Sequence, residues 1–205
     1  MNNLQPQNGL DDQQTKMKVM KAAIGLFAEK GYASASVREI VEIAGVTKPA
    51  LYYYFNNKEG LFFAILNWAE EWLEIVLSDV LKSPGAVLER LVKLTHLMRK
   101  AAKQEPALFR MIHHLVLGTP QGAPAFDYHR YYRRIIETLK QIYLEGVARN
   151  EMKKEDPEQV AILLFSLIDC CYHLEQDRLY PAPFNDLADR LLSMAFQGLK
   201  SRKGE

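Results

Sequence analysis

A chain of 205 residues, 48% apolar and 25% charged with a formal net charge of +1, can bury a substantial core and form one large domain or two small ones. Its two cysteines, adjacent at Cys170 and Cys171, exclude a disulfide framework and a C-x-x-C metal knuckle, because neighbours on a helix point about 100° apart. Met1 to Asp12 is mostly Asn, Gln and Asp, with no apolar signal region, and the longest apolar run, Val160 to Leu174, is broken by Ser166, Asp169 and His173 and is shorter than the roughly 20 residues of a membrane span. These features predict a cytoplasmic protein with no membrane segment and a disordered lead-in over residues 1–12. Gln13 to Leu61 carries seven Lys/Arg against four Asp/Glu, whereas Phe62 onward is balanced at 19 each, so the front of the chain is the part suited to an anion.

In chain order, the elements read as helices. Met17, Met20, Ile24 and Phe27 recur at three- and four-residue spacing and make an apolar stripe that ends at Gly31. Ser36 and Glu39 form an S-x-x-E capping box ahead of Val37, Ile40, Val41 and Ala44, and Gly45 supplies a left-handed end. Thr47 caps the next helix, with Pro49 in its first turn, where a missing N–H costs little. Asn56 and Glu59 repeat the capping-box pattern and open a long helix through Trp68 and Trp72. Ser83-Pro84 is expected to start a helix to about Lys103, and Pro106 a shorter one to about Gly118. Thr119 to Pro124 is a loop, and a helix follows from about Phe126 to Arg149. Asp156-Pro157 starts the apolar run to about Gln176, Pro181 and Pro183 break the chain, and Asn185 caps a last helix to about Leu199. The fold class is all-α, with nine helices, no internal repeat and no strand pattern.

Two short helices joined by Ala44-Gly45-Val46-Thr47 match a helix-turn-helix, whose second helix enters the DNA major groove. On a wheel of that second helix Leu51 and Phe55 lie together, Tyr52 sits at the margin, and Pro49, Ala50, Tyr53 and Tyr54 face outward. Outward tyrosines next to Lys48 suit phosphates and thymine methyls better than bare solvent. The stretch Ala22 to Leu61, with Leu26-Phe27, Gly31-Tyr32, Val37-Arg38-Glu39-Ile40, Ala44-Gly45-Val46, Leu51-Tyr52-Tyr53-Tyr54-Phe55 and Lys58-Glu59-Gly60-Leu61, closely resembles the DNA-binding domain of the TetR family. That resemblance implies a nine-helix TetR-like architecture, with a DNA-binding domain over residues 13–61 and an effector-binding and dimerisation domain over residues 62–205. By matched position it implies base or phosphate contacts from Arg38, a phosphate-side role for Thr47, base-edge or methyl contacts from Lys48, Pro49, Ala50 and Tyr53, and backbone contacts from Tyr52, Tyr54 and Lys58. Ala50 stands where many members carry a hydroxyl or glycine, so readout there would be apolar.

Behind Leu61 the residues themselves indicate a large helical core and two C-terminal helices rich in apolar side chains. The helix Val160 to Gln176 is apolar around most of its circumference, and the last carries Leu187, Leu191, Leu192, Met194, Ala195 and Leu199. One face inside and one against a twofold mate would satisfy both, as in a homodimer; a core helix in a monomer is the plainer reading. Candidate effector contacts are Leu94, Met98, Phe109, His113, Tyr128, Tyr132 and Tyr172, with Asp169 and His173 at i, i+4 as a polar anchor. Their aromatic and methionine content favours an apolar or aromatic effector. No metal or cofactor is expected: Cys170 and Cys171 point away from Asp169 and His173, and His113 and His114 diverge.

Three other readings compete. An enzyme would need a catalytic motif, and G-x-S-x-G, P-loop, dinucleotide glycine, H-E-x-x-H and paired-cysteine patterns are all missing. A helical adaptor could dock a protein partner on the front helices, and salt dependence would separate it from a DNA binder. An activator would look like a repressor at this level, repression being the commoner case in the family. The reading that absorbs most features is a dimeric repressor that binds a palindromic operator and is released by a small molecule.

Overall fold

The computed structural model describes residues 7–118, 122–176 and 184–200, with side chains from residue 12 onward and, in the last stretch, from residue 187. Nine α-helices occupy the described residues: α1 Gln7–Ser34, α2 Val37–Ala44, α3 Lys48–Phe55, α4 Lys58–Lys82, α5 Val87–Gln104, α6 Pro106–Leu117, α7 Arg130–Ala148, α8 Pro157–Gln176 and α9 Phe184–Leu199. No helix among them is long and apolar enough to cross a membrane. Two compact units form: one from the chain up to Glu71 together with Glu105–Tyr128, the other from Trp72–Gln104 together with the chain from His129.

In the first unit α1 packs against α2, α3 and α6. The α1 stripe is buried through Met20, Ile24 and Phe27, while Met17 is half-exposed. Gly31 interrupts the helix with φ 79 and ψ 164, a conformation open to glycine and strained for other residues. Phe27, Tyr32 and Phe62 meet as three rings with centroids 4.9–5.7 Å apart, in the tilted and edge-on arrangements that aromatic quadrupoles favour. In the second unit α7 packs against α5 and α8, and α9 against α5 and α8. Its core includes Leu91, Leu94, Leu139, Ile142, Tyr143, Ala161 and Leu164.

Several boundaries depart from expectation, each for a local reason. The helix already begins at Gln7, inside the expected disordered lead-in, and Asp12 and Lys16 on it touch Tyr54. Asn57, not Asn56, caps α4 by accepting the Gly60 N–H at 2.7 Å. Asn56 closes α3 instead, at φ 62, with its N–H donating to Tyr52 O. At Ser83-Pro84 the chain is still leaving α4: the Ser83 N–H donates to Val80 O and its hydroxyl to Asp79 O. Gly85, at φ 114, then turns the backbone before Glu89 accepts the Ala86 N–H and α5 starts at Val87. The helix expected from Phe126 starts at Arg130, because Phe126 and Tyr128 are drawn into the ring cluster of the first unit, with the Tyr128 hydroxyl donating to Pro124 O. Asp156 caps α8 as expected, accepting the Gln159 N–H at 2.9 Å. Residues 119–121 of the expected loop, the Pro181 and Pro183 break and the Asn185 cap lie outside the described residues or side chains.

Buried polar contacts hold the second unit together. The Arg90 guanidinium, only 2% exposed, donates to Val80 O and Leu81 O at the end of α4 and pairs with Glu145 on α7. It thereby adds donors to carbonyls in the last turn of α4, where helical N–H partners run out. Arg99 on α5 meets Glu175 on α8 through two bonds of 2.6 and 2.7 Å, which holds the Glu175 carboxyl below its ordinary range.

Candidate nucleic-acid interface

The recognition element is assembled from local signals. Ser36 accepts the Glu39 N–H through its hydroxyl while the Glu39 carboxylate accepts the Ser36 N–H, so the capping box is closed from both sides. Lys30 reaches across from α1 to the same carboxylate. The Lys30 contact, helped by the Ser36 bonds, pulls the Glu39 carboxyl down to about 2. Gly45, at φ 65, ends α2, and Val46 N donates back to Val41 O. Thr47 then caps α3 by accepting the Ala50 N–H at 3.3 Å, and Pro49 lies in the first turn. The turn between the helices is fixed by these groups with little freedom left.

Leu51 and Phe55 anchor α3 in the core, so the opposite face is presented outward. Tyr53 is 77% exposed and Tyr52 46%, beside exposed Thr47, Lys48 and Pro49 and half-buried Ala50. Arg38 is exposed on α2. Helix α3 thus leaves two large aromatic side chains exposed with basic groups near them, a combination suited to contact with a partner.

Two expected contacts have other duties. Lys58 is half-buried: its Nζ donates to Tyr32 O and Ala35 O, both at 2.9 Å, and lies 4.1 Å from the Tyr32 ring centroid. Burial lowers its pKa. It joins the start of α4 to the end of α1 by donating to carbonyls there. Tyr54, expected outward, leans on α1 and is half-buried, its hydroxyl donating to Asp12. Two residues escaped sequence reasoning. Asp12 was assigned to the lead-in, and Ile43, 62% exposed on α2, was passed over although it lies off the stripe of Ile40 and Val41. An apolar residue out of phase with its helix's buried stripe was the available signal.

The candidate effector residues divide between the two units. Phe109, His113 and Tyr128 belong to the first, and Leu94, Met98, Tyr132, Asp169, Tyr172 and His173 to the second. Leu94 is fully buried in the core. On α7 and α8 the structure does bring a group together. Tyr132 packs at a tilt against Phe165 with ring centroids 4.8 Å apart, and its pKa is raised by burial first and by Asp169 and Tyr172 next. Asp169 Oδ2 lies 3.6 Å from His173 Nε2, whose ring is 5.0 Å from that of Tyr172. Cys170 is exposed and Cys171 buried, so they diverge as expected. Among the described residues no group of three or more His, Cys, Asp or Glu is placed to hold a metal ion.

Comparison with known proteins bears on this arrangement. Residues 19–65 match the family model described as bacterial regulatory proteins, tetR family. The chain is 28% identical over 196 residues to the HTH-type transcriptional regulator AcrR of Shigella flexneri, across 77% of this chain and 91% of that one. Among solved structures it is similar to the TetR family protein CprB from S. coelicolor A3(2), with 27% identity, a TM-score of 0.71 and coverage of 94% of this chain and 93% of that one. It is also similar to NalD, the secondary repressor of the MexAB-OprM multidrug efflux pump in Pseudomonas aeruginosa, with 25% identity, a TM-score of 0.65 and coverage of 93% and 98%. The residues matched by the family model are those that build most of α1, α2, α3 and the start of α4, so this helix-turn-helix region is similar to that of the tetR family of bacterial regulatory proteins, and the similarity to these transcriptional regulators continues through most of each chain.

Proposed function

We propose that this regulator is a cytoplasmic repressor that binds a palindromic operator as a homodimer and leaves it when a small apolar or aromatic effector binds. The observation that carries the DNA-binding half is the outward face of α3, with Tyr53 and Tyr52 exposed on a helix fixed at both ends. Lys48 and Arg38 supply charge for phosphates or guanine edges, and Thr47 lies at the helix N-terminus, where backbone N–H groups favour anions. Pro49, Ala50 and the tyrosine rings offer apolar contact to thymine methyls. The adaptor reading lacks support, since the relatives are named as transcriptional regulators.

Support for the dimer comes from the second unit. Ile162 and Leu163 are exposed on α8 and Met194 on α9, while Ala161, Leu164 and Ile168 of α8 face inward. A second copy would cover that outer face and join α8 and α9 to their mates around a twofold axis. Effector binding is assigned to Tyr132, Phe165, Asp169, Tyr172 and His173, where a Tyr132–Phe165 ring pair lies on the same two helices as the Asp169–His173 pair and the Tyr172 ring beside it. The coupling runs through α4, one helix that contributes its first part to one compact unit and the rest to the other. An effector that favours a dimer with the wrong spacing between its two recognition helices shifts the population off DNA, and a coupling of about 1–3 kcal/mol is sufficient for useful induction.

The test is selection of random duplex DNA by the purified protein, repeated with Tyr53→Ala and Lys48→Ala and at two salt concentrations. Enrichment of a palindrome that both substitutions abolish and salt weakens is the expected result. A chain that enriches no site would leave the exposed tyrosines without a DNA role. Inserting Gly-Ser near Leu66 should then preserve the dimer and the site but remove effector-dependent release.

A further inference from the structure

Asp12 lies outside the helix-turn-helix, about two turns before Val19, where burial of α1 begins, yet it makes a side-chain hydrogen bond to the recognition helix: the Tyr54 hydroxyl donates to Asp12 Oδ1 at 2.6 Å. One turn further along the same helix face, Lys16 Nζ stands 5.6 Å from the centroid of the Tyr54 ring. The other sides of that ring are occupied by its neighbours: Tyr53 meets it edge-on at 5.0 Å and 73°, and Phe55, seated in the core, at 6.3 Å and 61°. The Tyr54 ring is therefore held by an acceptor at its hydroxyl, a cation near its face and an aromatic on either side. The side chain that leans on it is Tyr53, the most exposed large apolar group of the described residues.

We infer that Asp12 is a positioning residue for DNA readout, which orders Tyr53 by fixing Tyr54 through the bond from its hydroxyl. The inference rests on the reading of α3 as the DNA-contacting helix. Its physical basis is entropy: a ring already confined to its bound orientation loses less freedom when it meets a base edge, so more of its contact appears as affinity for the matching sequence. A carboxylate near a DNA-binding face is otherwise an electrostatic liability, because it repels phosphate whatever the sequence. Positioning and repulsion act on different quantities. Positioning changes the preference for the matched site over other DNA, while charge shifts binding to all DNA together.

The experiment measures affinity for the selected palindrome and for an unrelated duplex of equal length, using the full-length protein and the variants Asp12→Ala, Asp12→Asn, Tyr54→Phe and Asp12→Ala/Tyr54→Phe, with thermal midpoints recorded alongside. Asp12→Ala should lower the ratio of the two affinities by roughly three- to tenfold, the scale of one net hydrogen bond. Asp12→Asn, whose amide oxygen still accepts from Tyr54, should keep the ratio while binding both duplexes at least as tightly as the wild type. In the Tyr54→Phe background Asp12→Ala should have no further effect on the ratio. A ratio unchanged in Asp12→Ala, lowered as far in Asp12→Asn, or lowered additively in the double variant overturns the inference while leaving the DNA-contact reading standing. A wild-type chain that prefers no duplex overturns both.

Discussion

The helix-turn-helix and the α5–α9 unit are built from the same kind of element but held by contacts of very different reach. In the first, the decisive groups are three to five residues apart: Ser36 with Glu39, Val41 with Val46, Thr47 with Ala50, Asn57 with Gly60. In the second they are far apart along the chain, 55 residues from Arg90 to Glu145, 76 from Arg99 to Glu175 and 93 from His96 to Asp189. Short-range capping fixes the local course of α2, the turn and the start of α3, while Leu51 and Phe55 seat α3 on the core. Long-range pairing makes a unit in which displacing one helix disturbs several others, which agrees with the effector-responsive role proposed for it.

That contrast can be broken most severely from inside the front unit. Leu51 is fully buried on the inner face of α3, and Leu51→Ala should cost about 3–5 kcal/mol, lowering the thermal midpoint and abolishing site-specific binding together. Arg90→Ala attacks the other unit. It takes the Arg90 donors from the Val80 and Leu81 carbonyls, leaving Val80 O with the Ser83 N–H, and takes the Arg90 partner from Glu145; it should cost about 2–3 kcal/mol. Hydrogen exchange should quicken at the end of α4 and along α5 and α7 while α2 and α3 keep their protection; uniform acceleration would contradict the proposed difference in reach.

Ile162→Glu sharpens the comparison without touching either core. The residue is exposed in the single chain, so the monomer's fold should survive, while sedimentation should show a dimer replaced by a monomer and operator affinity should fall with it. An unchanged dimer would move the twofold contact away from the outer face of α8. The smallest effect concerns pH. The Glu39 carboxyl ionises near 2 in the folded protein, chiefly through Lys30, against 4.5 for an unperturbed group. Its contribution is therefore fully present above about 4.5 and lost as pH falls toward about 2. Glu39→Gln can still close the capping box but does not titrate, so the stability gap between wild type and variant should narrow across that window. A constant gap would mean that the Lys30 contact contributes nothing to folding.

The same difference in reach explains what could be read early. The Gly31 break, the Ser36–Glu39 box, the Gly45 turn, the Thr47 cap and the Asp156 cap all occupy windows of a few residues, and each is where its residue types place it. The inward Leu51 and Phe55 and the outward Tyr53 follow from a helical period of 3.6 alone. The readings that changed involve partners outside the window. Lys58 reads as a surface cation, but Tyr32 O and Ala35 O accept its N–H donors, and Tyr54 reads as outward, but the start of α1 reaches it. The Phe126 helix start gave way to rings on α4, and the effector candidates fell into two units that no periodicity could separate.

What this sequence determined by itself is the order of helices, the caps at Ser36, Thr47 and Asp156, and the outward Tyr53 of the recognition helix, because those depend on backbone geometry and on side chains within a turn of each other. What only the tertiary structure decided is which charges are spent internally: Arg90 on the end of α4, Arg99 on Glu175, Lys58 on the end of α1, and Asp12 on Tyr54. A charged side chain reads as surface in a sequence window. It becomes a structural bond only when folding brings a distant acceptor close enough to offset the cost of removing it from water.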